Sequence, residues 1–331
     1  MANSLNEVDY QNGLLLHHWD TDGMSAGALI LRNFPDLSTF TPSIGNYYLN
    51  EKDKEKIKKT NPDIVVVVDM ALPVESIEFL KDFGKVYIFD HHLQEKHDVE
   101  LHHNPVIDGG SPMRYPSASW VVTEYFDSKP SLLTILGAFG DREDKLKENE
   151  YAIETIDVLL DEWGSNFDDL LKCTEYLDTL YKLGKRKQIE SMPHDLKDFK
   201  EPEDVLGLED LKRNSVALDS AIERESKGNV IKLEKNILFK EMESPYNIIS
   251  TVTRRIAWSR EDKIVIVSNC KFKEGECQIY IRGPIPDSEK VINIAKQKGF
   301  SAGGKEDVVG MVVPTEEKEE FLKELANLLK K

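Results

Sequence analysis

The sequence predicts an α/β protein with an N-terminal doubly wound parallel sheet, a helical connector and a smaller C-terminal α/β domain. Between residues 14 and 141, short apolar runs alternate with stretches of helical periodicity, which is typical of a parallel sheet covered by helices on both faces. A charged stretch that also contains Pro193 and Pro202 follows at Met192–Glu209, and from about Asn229 the pattern changes to strand-like runs. These observations predict two domains joined by a connector.

The N-terminal part contains four candidate strands, which are Gly13–His18, Asp63–Val68, Lys85–Phe89 and Leu132–Phe139. The last of them could equally open a buried helix, because periodicity does not separate the two structures in a short apolar run. Apolar residues at helical spacing predict helices over Met24–Asn33, Pro73–Phe83 and the long stretch Asn149–Leu183.

The C-terminal part has its own set of predicted elements. Strands are predicted at Val230–Phe239, Lys263–Ser268 and Cys277–Ile281. Helices are predicted at Tyr246–Trp258, Glu289–Lys298 and Glu316–Leu329, with a bridging helix at Leu211–Ser226. We therefore expect a catalytic-type domain over residues 1–190, a linker and connecting helix over 191–228, and a substrate-binding domain over 229–331.

Composition and charge narrow the class of protein. The chain has 331 residues and a net charge of −17, which excludes one small disulfide-stapled module and opposes indiscriminate electrostatic binding to nucleic acid. Residues 229–305 differ from the whole, with 14 Lys and Arg against 9 Asp and Glu. A local basic face is therefore expected in the C-terminal domain.

The sequence also predicts where the protein resides. Its longest apolar runs, Leu14–Leu16 and Ile64–Val68, fall far short of a membrane-spanning helix, and Met1–Gly13 does not resemble a signal peptide. We expect a cytoplasmic protein with no membrane partner. Three cysteines with no CxxC pair favour reduced, buried thiols; they are Cys173, Cys270 and Cys277.

Acidic and histidine residues follow the candidate strands in a regular way, namely Asp20 and Asp22, then Asp69, then Asp90-His91-His92, then Asp141. The carboxyl ends of parallel strands line one edge of a sheet, so these side chains are expected to converge. Carboxylates brought together must protonate, spread apart or hold cations. The mixture of carboxylate and imidazole fits Mn²⁺, Zn²⁺ or Fe²⁺ better than Ca²⁺, and the number of ligands allows two ions.

Each of these residues also has a simpler interpretation. Asp22-Gly23 is a turn signal, and a single strand-end carboxylate such as Asp69 is commonly a helix cap. His17 and His18 could be one buried and one exposed strand residue. The ordered occurrence of all four motifs after apolar runs favours a metal site.

The four motifs resemble those of the DHH phosphoesterase family, at His18-x-Asp20-x-Asp22-Gly23, Asp69, Asp90-His91-His92 and Asp141. The resemblance covers residues 13–145. It continues at Gly303–Gly310, which has the spacing of the family's glycine-rich C-terminal loop, with Lys305 in place of the usual His and Val308 and Val309 in place of Ala. The RecJ-like branch, with its archaeal single-strand exonucleases, is most similar, since the first motif reads DTDG rather than the HxNPDxD of pyrophosphatases.

The resemblance implies roles for the motif residues. His18 and Asp20 would hold one Mn²⁺, the second ion would be held by Asp22, His91 and Asp141, and Asp69 would bridge the two. His92 would contact the phosphate. Asp90 would hydrogen-bond a neighbouring imidazole and fix its tautomer. The catalytic residues implied are thus Asp69, His92 and Asp90, and Mg²⁺, Zn²⁺ or Fe²⁺ could replace Mn²⁺.

Candidate substrate-binding residues lie mostly in the C-terminal domain. Gly303 and Gly304 could form a phosphate-binding loop with Lys305, or an ordinary turn. Arg282 stands where the family carries a phosphate-binding arginine. Arg254 and Trp258 could bind single-stranded nucleic acid, or belong to a core helix with a solvated basic face.

A short loop after the third motif has two interpretations as well. His102 and His103, with Asn104-Pro105, could contact substrate or have a structural role in the loop.

The resemblance implies a manganese-dependent phosphodiesterase, specifically an exonuclease on single-stranded DNA or RNA that uses two-metal hydrolysis in an interdomain cleft. A first alternative is a phosphoesterase for short oligonucleotides, cyclic dinucleotides or 3′-phosphoadenosine nucleotides. A second is a scaffold that binds a replication or repair protein. Polarity of digestion and oligomeric state are not predicted.

Overall fold

The computed structural model describes residues 5, 8, 10–260 and 262–330, and the chain divides into two compact units. Unit 1 comprises the described residues up to Tyr181 together with Lys185–Arg213. Unit 2 comprises Lys182–Gly184 and the described residues from Asn214 onward. Each unit has its own sheet and its own hydrophobic core.

Unit 1 contains a five-stranded sheet in the order β2-β1-β3-β4-β5. Its strands are β1 (Gly13–His17), β2 (Ser38–Phe40), β3 (Ile64–Val68), β4 (Lys85–Phe89) and β5 (Leu101–His103). All the pairs are parallel, with Leu15 opposite Val66 and Val66 opposite Tyr87. Strands β1 and β3 are buried along their whole length, which explains their continuous apolar sequences.

Helices cover both faces of this sheet. Ile57 and Ile77 of α2 and α3 pack with Val65 and Val67 on one face. The other face carries Val66 and the remaining helices. The helices of unit 1 are α1 (Thr21–Asn33), α2 (Glu51–Thr60), α3 (Val74–Lys81), α4 (Ala118–Tyr125), α5 (Leu132–Arg142), α6 (Ile153–Trp163), α7 (Phe167–Lys182), α8 (Arg186–Leu196) and α9 (Pro202–Leu206). The predicted doubly wound parallel sheet is therefore confirmed.

The fourth candidate strand of the sequence, Leu132–Phe139, is a helix. It forms most of α5, whose start is fixed by a capping box between Ser131 and Thr134. All residues of Leu132–Phe139 are buried against neighbouring helices, so the apolar run has no polar face that would reveal its helical period. The sequence also did not predict β2 and β5, which are three-residue edge strands.

Unit 2 contains a six-stranded mixed sheet in the order β10-β11-β9-β8-β7-β6. Its strands are β6 (Ile231–Lys232), β7 (Ile237–Met242), β8 (Ile264–Lys273), β9 (Glu276–Arg282), β10 (Ser301–Lys305) and β11 (Val308–Pro314). Its helices are α11 (Ile249–Trp258), α12 (Ser288–Gln297) and α13 (Lys318–Leu328), and α10 (Glu209–Lys227) begins in unit 1 and continues into unit 2. Ile266 and Val267 pack into separate cores on opposite faces of the sheet.

Two expectations for unit 2 are wrong. Gly303 and Gly304 are not in a loop but in β10, opposite Gly310 and Val309 of β11. A Cβ on Gly304 would lie 2.1 Å from the carbonyl oxygen of Val308, so this tight antiparallel pairing requires glycine there.

The second wrong expectation concerns the cysteines. Antiparallel pairing of β8 with β9 aligns Asn269 with Gln278 and brings the adjacent Cys270 and Cys277 together, and these two form a disulfide. Cys173 is free and buried, as predicted. Among the residues that the structure describes, no helix is both long enough and apolar enough to cross a membrane.

Candidate metal centre

The carboxyl ends of β1, β3 and β4 carry three of the predicted site segments. His18, Asp69 and Asp90 each follow the last residue of a strand. Asp69 has a φ of 59°, a left-handed conformation that is uncommon outside glycine, and its N–H donates to the carbonyl of Phe89 at 3.0 Å. Backbone strain of this kind is concentrated at functional sites.

The first motif places its two carboxylates at the start of α1. Asp20 caps the helix and accepts a hydrogen bond from the N–H of Gly23 at 3.0 Å. Asp22 is fully buried and accepts from the N–H groups of Ala118 and Ser119, at 2.6 and 2.9 Å. The Asp-Gly pair is therefore more than a turn signal, because the N-terminus of α4 fixes the Asp22 carboxylate.

Helix α5, rather than a strand, supplies the fourth motif. Asp141 lies in its last turn, with a carboxylate oxygen 2.9 Å from Nε2 of His91. One turn earlier, a Cβ on Gly137 would lie 2.2 Å from Oδ1 of Asp22 and 2.1 Å from Oγ of Ser119. Glycine at this position allows α5 to approach the metal centre closely.

The motif residues converge into groups whose potential ligand atoms lie within 4.8 Å of one another. Three such groups are present among the described residues: His18, Asp20 and Asp69; Asp22, His91 and Asp141; and Asp69, Asp90, His91 and His92. Oδ2 of Asp69 is 3.5 Å from Nδ1 of His18, and Oδ1 is 3.7 Å from Nε2 of His91. The two oxygens of Asp69 thus face two different groups.

Several atoms at this centre are buried without a hydrogen-bond partner. Among the described residues these include both carboxylate oxygens of Asp69 and Nε2 of His18. A buried polar atom left unpaired costs about 1–3 kcal/mol, so such atoms are rare unless they serve a ligand. Carboxylate oxygen and imidazole nitrogen together suit Mn²⁺, Zn²⁺ and Fe²⁺, and the residues present therefore fit divalent cations.

The electrostatics agree with this fit. Burial and the neighbouring charges of Asp22 and Asp20 raise the pKa of Asp69 well above its usual range. Burial, with the charge of Asp141, raises the pKa of Asp22 to about 6. For Asp20, burial is outweighed by the charge and hydrogen bond of His18, and its pKa is lowered. A cation would relieve the repulsion among these carboxylates.

His92 is held differently from the buried residues. Its Nδ1 is 2.8 Å from Oδ1 of Asp90, and its side chain remains 48% exposed. Burial lowers the pKa of His92, but the hydrogen bond and charge of Asp90 outweigh that effect and raise the pKa to about 9. The second carboxylate oxygen of Asp90 accepts a hydrogen bond from Gln94. His92 is therefore hydrogen-bonded to Asp90 through Nδ1, and about half of its side chain is open to solvent.

Residues beside the motifs make hydrogen bonds at the candidate metal centre. Asn104 donates from Nδ2 to the carbonyl of His92 at 2.8 Å, and Thr21 donates to Asp178 at 2.8 Å. The roles of Gln94 and Asp178 are not predictable from the sequence, because no spacing relates them to the motifs.

Two other histidines have structural contacts. Nδ1 of His17 is 2.7 Å from the carbonyl of His18, and Nδ1 of His102 accepts from the N–H of His97 at 3.0 Å. Neither His17 nor His102 belongs to a ligand group in the described part of the chain.

Unit 2 carries the predicted substrate residues Arg254, Arg282 and Lys305 on α11, β9 and β10. The guanidinium of Arg254 lies 5.3 Å from the ring centre of Trp258. Arg282 ends β9 and pairs with Asp307 at 3.3 Å. Burial raises the pKa of Tyr280, and the charges of Arg282 and Arg254 oppose that effect. We call Arg254, Trp258, Tyr280 and Arg282 the basic face. Lys305 is exposed at the end of β10.

Comparisons with known proteins identify the fold. No model of a known protein family matches the chain, and no curated protein matches it. Solved structures do match it. An exonuclease RecJ bound to manganese has 16% identity and a TM-score of 0.63, covering 94% of this chain and 88% of that one.

Two further structures agree. RecJ in complex with Mn²⁺ from Thermus thermophilus has 15% identity and a TM-score of 0.63 over 94% of this chain, which spans 51% of that longer protein. The DHH domain of a member of a ribosomal-protein family has 19% identity and a TM-score of 0.61, covering 97% of this chain and 88% of that one. The chain therefore has the fold of RecJ and the DHH-domain proteins.

Proposed function

We propose that this protein is a metal-dependent phosphoesterase, specifically an exonuclease that hydrolyses single-stranded DNA or RNA with Mn²⁺. The observation that carries the proposal is the buried carboxylate of Asp69, whose two oxygens face separate ligand groups at 3.5 and 3.7 Å. A shared carboxylate between two such groups is an arrangement suited to a pair of ions. Structures of RecJ with Mn²⁺, which have the same fold, support this proposal.

The two ions would have distinct ligands. Besides Asp69, one ion would be held by His18 and Asp20, and the other by Asp22, His91 and Asp141. Such a pair supplies charge that polarises a phosphoryl group and makes water a stronger nucleophile at neutral pH. The donor set is also compatible with Zn²⁺ or Fe²⁺, and Mg²⁺ is a further candidate.

The side chains at the centre would orient and stabilise the substrate. Asp90 accepts from Nδ1 of His92 and stabilises the protonated ring, the form in which Nε2 can also donate to a phosphate oxygen. The hydrogen bond and charge of Asp90 raise the pKa of His92, and in its charged form this donor would stabilise negative charge on the phosphoryl group. Gln94 and Asn104 would keep Asp90 and His92 in place.

Unit 2 would bind the phosphate backbone. Arg254 on α11 and Arg282 on β9 supply positive charge, and Lys305 adds an exposed cation at the end of β10. A Cβ on Gly303 would meet no atom within 4 Å, so β10 offers open backbone at Gly303. Aromatic and arginine side chains of this kind bind single strands without reading sequence. The net charge of −17 argues against coating long duplexes.

One assay distinguishes the substrate classes. The purified protein with Mn²⁺ is incubated with end-labelled single-stranded DNA and RNA, a labelled dinucleotide and a 3′,5′-bisphosphate nucleotide. Stepwise shortening of the long strands is expected, and the label released first gives the polarity. Asp69→Ala should abolish it, whereas Asp161→Ala, an exposed acid on α6, is the matched control.

The other outcomes of this assay would revise the proposal. Cleavage of the dinucleotide or bisphosphate alone would replace the exonuclease with a small-substrate phosphoesterase. Absence of any cleavage, with the fold intact by circular dichroism, would favour a scaffold for a replication or repair protein.

A further inference from the structure

An exposed aromatic side chain stands beside the candidate metal centre. Tyr47 lies in the segment between β2 and α2 and is 66% exposed. Its ring stacks against the imidazole of His18, with ring centres 5.8 Å apart and planes inclined by 27°. Trp19 is buried and lies against both rings. Its ring centre is 4.1 Å from that of His18 and 5.3 Å from that of Tyr47. We call these three residues the ring cluster.

Within the ring cluster, the exposed ring of Tyr47 forms a flat surface that the buried ring of Trp19 supports. Trp19 contacts the Tyr47 ring from within the protein, while about two thirds of Tyr47 remains in water. A ring already held in place loses little conformational freedom when a second flat group stacks on it. Every nucleobase has such a flat face, and stacking on an aromatic side chain contributes strongly to the binding of single strands.

The position of the ring cluster limits what could stack there. His18 belongs to the ligand group formed with Asp20 and Asp69. A base stacked on Tyr47 would therefore lie next to the ligand group formed by His18, Asp20 and Asp69. A phosphate chain without bases has nothing to place on this surface.

We propose that Tyr47 is a substrate-binding residue that stacks on the nucleobase next to the phosphodiester bond to be cleaved. The substrate class is then a nucleotide ester rather than a phosphate chain that lacks bases. This inference rests on the proposed phosphoesterase function, and it assigns a specificity role to a residue outside the metal-binding motifs.

Paired substrates test the stacking. One oligonucleotide carries ordinary terminal nucleotides, and its partner carries abasic residues at both ends, so that the polarity of digestion does not matter. Tyr47→Ala, Tyr47→Phe and the neighbouring Tyr48→Ala are compared with the unaltered protein by KM and kcat. Tyr48 is 45% exposed and serves as the matched control.

Tyr47→Ala should raise KM about 10-fold for the ordinary strand and leave the abasic strand unchanged. Tyr47→Phe, which retains the ring, should behave like the unaltered protein, as should Tyr48→Ala. An equal loss on both substrates would show that Tyr47 only supports His18. No loss on either would show that the base does not contact Tyr47. Either result would overturn the inference.

A binding measurement separates this inference from the proposed function. A phosphorothioate oligonucleotide with 2-aminopurine at both ends is titrated with protein in Mg²⁺, and stacking is followed by loss of 2-aminopurine fluorescence. Quenching by the unaltered protein and Tyr47→Phe, but not by Tyr47→Ala, is expected. If quenching occurs without hydrolysis of any substrate, the stacking role stands and the proposed reaction fails. If the unaltered protein does not quench, the stacking role fails even where hydrolysis is observed.

Discussion

The candidate metal centre of unit 1 and the basic face of unit 2 hold their polar side chains in opposite ways. At the metal centre Asp22 and Asp69 are 0% and 2% exposed, and two backbone amides of α4 hold Asp22 in place. On the basic face Trp258 is 64% exposed, and Arg282 has Asp307 as a partner at 3.3 Å. Burial and backbone contacts thus fix the side chains of the first region, whereas those of the second are more exposed.

The energies that act in the two regions differ accordingly. Buried like charges repel one another strongly, and burial together with the charges of Asp22 and Asp20 raises the pKa of Asp69. Exposed cations are screened by salt and contribute about 0–1 kcal/mol per pair. Substitutions at the metal centre should therefore have large effects on turnover, whereas those on the basic face should have moderate effects on substrate binding.

The strongest loss of activity should follow removal of the Asp69 carboxylate. Asp69→Ala should lower kcat by about a thousandfold or more, because the ions supply several kcal/mol of charge stabilisation in the transition state. In a chelator, the same variant should melt close to the unaltered protein, because the removal of a buried and unpaired carboxylate offsets the strain of alanine at a φ of 59°. Differential scanning calorimetry with chelator or Mn²⁺ measures the melting temperature, and steady-state kinetics measures kcat. Full activity of the variant would show that the candidate metal centre does not control turnover, and the contrast with the basic face would fail.

The second-largest effect is expected from a substitution in α5 that would displace Asp22 and so test the rigidity of the candidate metal centre. Gly137→Ala places a methyl group 2.2 Å from Asp22 and 2.1 Å from Ser119, so we expect a loss of about 1–3 kcal/mol of stability and about 100-fold in kcat. Gly27→Ala in α1 is the matched control, because its Cβ would meet atoms no closer than 3.4 Å. Urea unfolding and steady-state kinetics measure both. An unchanged kcat in Gly137→Ala would mean that the site tolerates displacement of Asp22.

A more moderate effect is expected on the basic face. Arg282→Ala should raise KM about 10-fold with little change in kcat, and the dependence of KM on salt should become shallower. Arg254→Ala should weaken binding of long strands more than binding of dinucleotides, because its contact would lie along the strand. A fall in kcat equal to that of Asp69→Ala would contradict the proposed division of roles between the two units.

The weakest effect concerns a buried imidazole outside the ligand groups. Burial, together with the charges of His97 and Lys96, lowers the pKa of His102 to about 4, against the opposing influence of Asp90 and Asp108. As the pH falls from about 6.5 towards 4, the unfolded chain binds a proton that the folded chain does not, so stability is lost in that range.

His102→Gln should therefore reduce the loss of stability between pH 7 and pH 5 by about 1 kcal/mol. Urea unfolding at the two pH values measures this difference. The same loss in the variant and in the unaltered protein would show that His102 titrates normally in the folded state.

An element could be predicted from the sequence where its residue pattern is distinctive for its secondary structure, and could not where burial or glycine content hides that pattern. Strand β3 is buried on both faces and reads as an unbroken valine run, and the turn after it begins with Asp69. Helix α5 is buried just as completely, so its apolar run carries no periodicity and it resembled a strand. Strand β10 has glycines that suggest a loop, and only its pairing with β11 makes it a strand.

The amino-acid order alone was enough to predict the class of fold, the succession of the four motifs and the residue types that suit divalent ions. It was enough because periodicity and residue chemistry are local properties of the chain. Only the tertiary structure showed that α5 supplies Asp141 and that the N-terminus of α4 holds Asp22. It also showed that Tyr47 stacks on His18 and that Cys270 forms a disulfide with Cys277. These contacts join residues whose separations follow no local period, so packing of the elements, rather than the order of residues along the chain, brings them together.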